Sequence, residues 1–170
     1  MITTRSLWLR LACGAALLCC GARTLGAQAT TIKLATVVPD GSVWDKSLKQ
    51  MGADWQQATG GRVSLAVFSG GTQGDEPTVV RKMRLGSLQA ASLTVVGLAN
   101  LDAAFNVFNV PFFIQSYGEL NAVVDKLTPM LRQRLDAKGF VLVNWGHGGW
   151  LQVFTKRPVQ TVQDLKGIKL

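Results

Sequence analysis

Strand patterns and helix patterns alternate along this 170-residue chain, and turns rich in glycine and proline separate them. Two β-rich stretches, residues 32–38 and 62–68, flank a helical pattern. Ser42 is a good N-cap for this helix, its apolar residues form one buried stripe, and Gly60-Gly61 stops it. Parallel strands need a connection of a dozen or more residues, and that connection is usually a helix. The sequence therefore predicts an α/β fold, with a parallel-rich sheet flanked by helices.

Further elements continue this alternation. Glu76-Pro77, after the glycine-rich loop of residues 69–75, is a strong helix start, because an acid and a proline both suit the first turn of a helix. We expect the remaining elements in chain order: a buried strand at residues 90–96, a short helical piece, helices at 117–127 and 129–138, a strand at 140–145, an extended stretch at 150–156 and a short helix at 161–166.

The first 29 residues have the pattern of an export signal. Arg5 and Arg10 precede an apolar run at residues 11–22, and Ala27-Gln28-Ala29 is a small-x-small cleavage pattern. The run is shorter than the roughly 20 residues that span a bilayer. We therefore expect cleavage after Ala29, a periplasmic mature chain and no membrane insertion afterwards; an uncleaved membrane anchor is the alternative. All three cysteines lie in this segment, so they indicate neither a disulfide framework nor a thiol-ligated metal.

The charge balance argues against a nucleic-acid partner. The chain has 18 Lys and Arg against 10 Asp and Glu, and three of the arginines lie in the signal, which leaves 15 against 10. The basic residues are scattered apart from one cluster at Arg81, Lys82 and Arg84. A nucleic-acid surface needs a denser basic stripe. A mildly positive body favours the approach of anionic ligands.

In sheets of this kind, ligands bind beyond the carboxyl ends of the strands. Residues 39–44, 69–76, 96–100 and 145–150 form that edge here, and backbone N–H groups near Ser42 can hold a carboxylate oxygen. A plainer interpretation is that the acids stabilise a helix start, the tryptophans pack in a core and the histidine hydrogen-bonds within a loop. The expected ligand-binding residues are Ser42, Trp44, Asp75, Glu76, Trp145, His147 and Trp150.

Catalytic alternatives fail on the residue inventory. Gly146-His147-Gly148-Gly149 resembles the oxyanion loop of lipases, but the Gly-x-Ser-x-Gly elbow that should follow it is missing. His147 is the single histidine, so no separate base remains for a catalytic triad. The glycine-rich loop at residues 70–74 lacks the Gly-Lys-Ser/Thr ending of a phosphate-binding loop. We expect a protein that is not an enzyme and uses no cofactor or metal.

Seven segments, taken in order, carry a family resemblance over nearly all of residues 31–170. They are residues 32–44, 58–63, 74–76 and 80–86, then Val110-Pro111-Phe112, Lys138-Gly139-Phe140 and residues 158–170. Together they resemble the first part of the mature solute-binding proteins of TRAP transporters, the DctP family. The resemblance implies a two-lobed extracytoplasmic receptor that closes on an organic anion, commonly a carboxylate. It also implies delivery of that ligand to a TRAP membrane permease.

The same resemblance implies a division of the chain. Residues 1–29 would be the signal peptide, residues 30–146 the first α/β lobe, and residues 147–170 the crossover and the beginning of a second lobe. In the family an arginine that grips the ligand carboxylate typically follows the segment resembling residues 167–170, so no residue here receives that role. We expect these 170 residues alone to leave sheet edges and apolar surface exposed, to be poorly soluble or partly disordered, and to bind no carboxylate with useful affinity. An ABC-type binding protein, a ligand sensor and a fragment without function of its own remain the alternatives.

Overall fold

The computed structural model describes residues 29–150 and 154–167. Within them lie three parallel strands, β1 (Thr30–Thr36), β2 (Val63–Phe68) and β3 (Ala90–Ser92), in the sheet order β2-β1-β3. The helices are α1 (Val43–Ala58), α2 (Glu76–Arg84), α3 (Val95–Leu101) and α4 (Tyr117–Asp136), with 3₁₀ helices at Ala103–Asn109 and Val162–Leu165. The predicted α/β architecture with a parallel sheet is confirmed. The predictions for residues 1–28, including the export signal, and for residues 151–153 and 168–170 lie outside the described residues.

The central strand, β1, carries the best-buried part of the sheet. Thr30 pairs with Val63 of β2, and Leu34 pairs with Ala90 of β3. Leu34 and Ala35 are buried, and Ala35 packs in one cluster with Val79 of α2 and Leu88. Since all three strands are parallel, their carboxyl ends meet at one edge, where α1, α2 and α3 begin.

Helix α1 packs on β2 through a glycine. An ideal Cβ on Gly52 would lie 2.9 Å from the Cβ of Leu65, so only a glycine permits this close approach. The sequence predicts one buried apolar stripe on this helix, but the stripe is less buried than predicted. Leu48, Met51 and Trp55 are half-buried, whereas Ala58, at the helix end, is exposed.

The third strand is shorter than predicted, because a helix start intervenes. Residues 90–96 read as a continuous apolar strand, yet β3 ends at Ser92 and α3 begins at Val95. Thr94 caps α3, with its hydroxyl accepting a hydrogen bond from the N–H of Val96. This cap ends the strand, although the residues that follow remain apolar.

Helix α4 is a single helix where the sequence predicts two. Pro129 lies inside it, and the missing N–H of the proline does not end the helix. Leu131 and Leu135, beyond the proline, are buried in the larger core cluster with Val80, Leu101 and Phe105. This burial stabilises the second half of the helix and offsets the lost hydrogen bond.

Residues 140–145 are not a hydrogen-bonded strand, so that prediction is wrong. The predicted alternation is nevertheless visible, because Phe140 and Leu142 pack against the larger core cluster while Val141 and Val143 are exposed. The described part of the chain provides no strand that pairs with this segment. The alternation therefore reports burial on one face rather than strand pairing.

A buried carboxylate, that of Asp102, pairs with two half-exposed cations. The Asp102 carboxylate lies 2.9 Å from the Arg134 guanidinium and 2.8 Å from Lys138 Nζ, and it accepts a hydrogen bond from the N–H of Ala104 at 2.8 Å. These partners, Lys138 first, hold the pKa of Asp102 well below its usual range. Among the described residues, no helix is long and apolar enough to cross a membrane.

Candidate functional site

The turn between β1 and α1 forms the first part of the carboxyl edge. Ser42 caps α1 and accepts a hydrogen bond from the N–H of Asp45 at 3.2 Å. In return the Asp45 carboxylate accepts a hydrogen bond from the N–H of Gly41 at 2.9 Å. Ser42 thus has the capping role that the sequence predicts, and α1 presents its N-terminal end at this edge.

Asp45 joins this turn to the loop that follows β2. Its side chain is 1% exposed, accepts a hydrogen bond from Ser69 Oγ and lies 2.8 Å from Lys49 Nζ. The hydrogen bond from Lys49, followed by those from Ser69 and Gly41, holds the pKa of Asp45 well below its usual range. Asp45 therefore remains ionised and holds two neighbouring edge loops together.

Asp75 and Glu76, both predicted to bind ligand, start α2. Asp75 caps the helix and accepts a hydrogen bond from the N–H of Thr78 at 3.0 Å. The side chain of Thr78 first, and this N–H second, lower the pKa of Asp75. Glu76 is buried, and its two oxygens accept hydrogen bonds from the N–H groups of Thr94 and Gly97 and from the Thr94 hydroxyl. The Glu76 carboxylate thus links the start of α2 to the start of α3.

Lys82 fixes the glycine-rich loop that precedes α2. Its Nζ donates to the carbonyl oxygen of Gln73 at 2.8 Å and to the side-chain oxygen of the same residue at 3.0 Å. Gly74 has φ +103°, a backbone conformation that favours glycine. Lys82 and Asp45 together give this edge of the sheet a defined shape.

Trp44 connects α1 to the segment of residues 145–150. An ideal Cβ on Gly146 would lie 2.9 Å from Cζ3 of Trp44, so the indole lies directly against this glycine. Trp44 is 44% exposed, which leaves part of its ring accessible. Two loops that the sequence predicts at the same edge are therefore in contact.

Trp145 is placed differently. Its ring packs against Phe105 and Phe108 with centroid distances of 6.0 and 5.7 Å, and its Nε1 donates to Thr128 Oγ1 at 2.9 Å. The plainer interpretation of this tryptophan, core packing, thus describes its surroundings. Its ligand-binding role stays a prediction.

His147 and Trp150 meet a residue that the sequence does not single out. The Tyr117 ring lies 4.8 Å from the His147 ring and 4.5 Å from the Trp150 ring, between ring centroids. Tyr117 is the first residue of α4, and Ser116 caps that helix. The only signal for it in the sequence is a tyrosine directly after a capping serine, which does not predict a contact 30 residues away.

A shallow depression of about 270 Å³ lies elsewhere in the described part of the chain. Arg157, Pro158, Gln163 and Asp164 line it, and Arg157 donates to the backbone oxygen of Asp164 at 3.1 Å. None of the predicted ligand-binding residues lines it. No group of three or more His, Cys, Asp or Glu side chains in the described residues is arranged to hold a metal ion.

A family model, that of the bacterial extracellular solute-binding proteins, family 7 (DctP), matches residues 34–170. The chain belongs to this family. The predicted resemblance is therefore confirmed over most of the chain. The matched part begins within β1 and includes every one of the predicted ligand-binding residues.

Solved DctP-family structures share the fold. One is a TRAP periplasmic solute-binding protein from Pseudomonas putida F1 with bound D-glucuronate, which is 27% identical and has a TM-score of 0.73. That match covers 81% of this chain and 46% of the Pseudomonas protein. DctP7 from Bordetella pertussis, an extracytoplasmic solute receptor binding pyroglutamic acid, is 31% identical with a TM-score of 0.62. That match covers 68% of this chain and 38% of DctP7.

Curated DctP-family relatives give the same picture of partial length. The 2,3-diketo-L-gulonate-binding periplasmic protein YiaO of Escherichia coli K12 is 28% identical over 117 residues, which are 68% of this chain and 36% of YiaO. A solute-binding protein of Chromohalobacter salexigens is 25% identical over 74% of this chain and 38% of its own length. The chain thus spans less than half the length of these relatives.

Proposed function

We propose that the protein is the extracytoplasmic solute-binding component of a TRAP-type transporter and that it captures an organic acid for a membrane permease. The observation that carries this proposal is the DctP family match over residues 34–170. The bound or named ligands of the similar proteins, glucuronate, pyroglutamic acid and diketogulonate, each carry a carboxylate. The family match favours this function over an ABC-type binding protein or a free-standing ligand sensor.

The geometry of the carboxyl edge supports a binding role for this half of the site. The N–H groups of Val43 and Trp44 find no acceptor among the described residues, and they lie in the first turn of α1, which carries a partial positive charge. An incoming carboxylate can accept hydrogen bonds there. Trp44 beside Gly146 then supplies an apolar wall.

The other predicted ligand-binding residues divide by role. His147 and Trp150 lie along the same loop as Gly146 and remain exposed, so they extend this surface. Asp75 and Glu76 use their carboxylates for the starts of α2 and α3, and we propose that they shape the edge on which the ligand rests. Trp145 supports the loop from the core.

The proposal includes binding and delivery without a chemical step. His147 contacts the ring of Tyr117, and Asp45 and Glu76 are engaged in hydrogen bonds within the fold. We further propose that residues 1–29 are removed on export to the periplasm. Residues 30–146 then belong to the first lobe, and residues 147–170 lead into the second.

A ligand panel tests whether this protein recognises acids. Residues 30–170 would be titrated with D-glucuronate, succinate and the neutral methyl β-D-glucopyranoside at constant ionic strength, using ligand-observed NMR, which detects weak binding. One lobe supplies part of the contacts, so we expect Kd values of order 1 mM for the acids, equivalent to roughly −4 kcal/mol. Glucuronate should bind at least tenfold more tightly than the neutral glucoside. Equal affinity of glucuronate and the glucoside would contradict the proposed function.

A further inference from the structure

Three aromatic side chains form a cluster at the surface beside the carboxyl edge, and we call it the aromatic platform: Tyr117, His147 and Trp150. The Tyr117 and Trp150 rings meet edge-on, at 70° and a centroid distance of 4.5 Å. The Tyr117 and His147 rings are tilted by 40° at 4.8 Å. Each ring therefore supports its neighbours while remaining at the surface.

The platform is held in place and yet accessible. The Trp150 Nε1 donates to the backbone oxygen of Ile114 at 3.0 Å, which fixes the orientation of the indole. Even so, Trp150 is 39% exposed and Tyr117 is 48% exposed. Large aromatic side chains that are fixed but not covered are typical of binding surfaces, because little side-chain entropy is lost when a ligand arrives.

The glycines around the platform keep the approach open. An ideal Cβ on Gly148 would meet no atom within 4 Å, and Gly149, with φ +98°, turns the backbone beside the Tyr117 hydroxyl. Gly146, two residues earlier, lies under Trp44. The platform is therefore continuous along one loop with the Trp44 surface to which we assign the ligand.

We propose that the aromatic platform stacks against the C–H face of a pyranose ring, so that the ligand of this protein is a cyclic sugar acid rather than an open-chain acid. This inference rests on the proposed function, since it concerns the same site. The axial C–H bonds of a sugar ring carry partial positive charge, and the faces of aromatic rings are electronegative. An imidazole nitrogen of His147 and the hydroxyl of Tyr117 supply hydrogen-bonding groups for the sugar hydroxyls at the rim.

The chemistry of the platform distinguishes ligands within the acid class. A linear dicarboxylate such as succinate presents no flat C–H face, so it gains little from contact with the aromatic platform. A cyclic sugar acid can place its carboxylate at the first turn of α1 and its ring on the platform. Stacking contributes apolar burial that a short open-chain acid cannot match.

The test uses Trp150→Ala and Tyr117→Ala with the same three ligands. The matched control is Phe154→Ala, since Phe154 is an aromatic residue that is 89% exposed and lies outside the platform. We expect each platform variant to weaken D-glucuronate binding at least fivefold and to leave succinate binding within twofold of the unmodified protein. Phe154→Ala should leave both unchanged.

Two outcomes would overturn the inference: unchanged glucuronate affinity in the platform variants, or an equal loss for succinate. If a variant fails to fold by circular dichroism, saturation-transfer NMR on the unmodified protein decides. Irradiation of aromatic protons should then enhance one face of the sugar ring, in glucuronate and in the neutral glucoside, whereas uniform enhancement would refute stacking. These outcomes test contact between the platform and the sugar ring. The comparison of glucuronate with the neutral glucoside tests acid binding, so the further inference and the proposed function can fail separately.

Discussion

Glu76 and Thr94 are joined by two hydrogen bonds, one from the Thr94 N–H at 2.5 Å and one from the Thr94 hydroxyl at 2.6 Å. The same carboxylate accepts a hydrogen bond from the N–H of Gly97 at 3.1 Å. An acidic side chain thus satisfies the free donors at the start of α3 from a neighbouring helix. This contact fixes the relative positions of two loops at the carboxyl edge.

Gly97→Ala should destabilise the protein because of this contact. An ideal Cβ on Gly97 would lie 2.9 Å from Cδ of Glu76 and 3.0 Å from Cβ of Leu93. We expect a loss of about 1–3 kcal/mol in the free energy of unfolding, measured by urea denaturation. Gly118→Ala in α4 is the control, since a Cβ there approaches only Ser116 Oγ, at 3.9 Å. That variant should gain up to about 1 kcal/mol, and a similar gain for Gly97→Ala would contradict the contact.

Stability should fall in acid, and Asp45 should account for part of the fall. The folded-state pKa of Asp45 and that of Asp102 lie below the usual value of about 3.9, so the unfolded chain takes up protons first as the pH drops. The contribution of both carboxylates is therefore complete above about pH 5 and decreases steadily below it. Urea midpoints at pH 7, 5, 4 and 3 should show this decrease. Asp45→Asn should be less stable at pH 7 and depend less steeply on pH; an identical slope would count against the role of Asp45.

The hydrogen bond between Trp145 and Thr128 should be measurable by a double-mutant cycle. Trp145→Phe removes the donor, Thr128→Val removes the acceptor, and the two groups lie 2.9 Å apart. We expect a coupling energy of about 0.5–1.5 kcal/mol from the unfolding free energies of the single and double variants. Additive single effects would show that Trp145 contributes through packing alone.

Phe112→Asn should stabilise the protein. Phe112 has φ +59° and is 87% exposed, so a bulky residue occupies a left-handed conformation without burying its ring. Asparagine tolerates this conformation, and we expect a gain of about 0.5–1 kcal/mol in chemical denaturation. Phe113→Asn is the control, because Phe113 is also exposed but does not have a positive φ. A loss in Phe112→Asn equal to or larger than that in the control would contradict this explanation.

Local sequence patterns predict helix starts well, because the capping interactions are made between residues close in sequence. Ser42 caps α1, and Glu76-Pro77 begins α2, as their positions in the sequence indicate. Pro129 leads to the wrong prediction of two helices. The burial of Leu131 and Leu135, which no local pattern indicates, keeps α4 continuous through the proline. Residues 140–145 are wrongly predicted to be a strand for a related reason. Alternation of apolar residues predicts burial on one face, but a strand also needs a partner to pair with.

The sequence predicts the candidate site as a set of loops, but it does not predict the contacts between them. The approach of Trp44 to Gly146 depends on two segments about 100 residues apart. Tyr117 was missed because its partners, His147 and Trp150, are distant in sequence. The sequence places Glu76 among the ligand-binding residues, and that role stays a prediction. Its carboxylate satisfies the start of α3, an interaction that only the tertiary arrangement reveals.

Chemical-shift mapping of residues 30–170 with D-glucuronate tests the central claim most directly, because it locates the bound acid. We expect the backbone amide shifts with glucuronate to differ most from those with the neutral methyl glucoside at residues 42–44 and 146–150. Amides at the C-terminal end of α1, residues 55–58, lie about three helical turns from Trp44 and should shift little. Changes centred on residues 157–164, or identical changes with the acid and the neutral sugar, would contradict it.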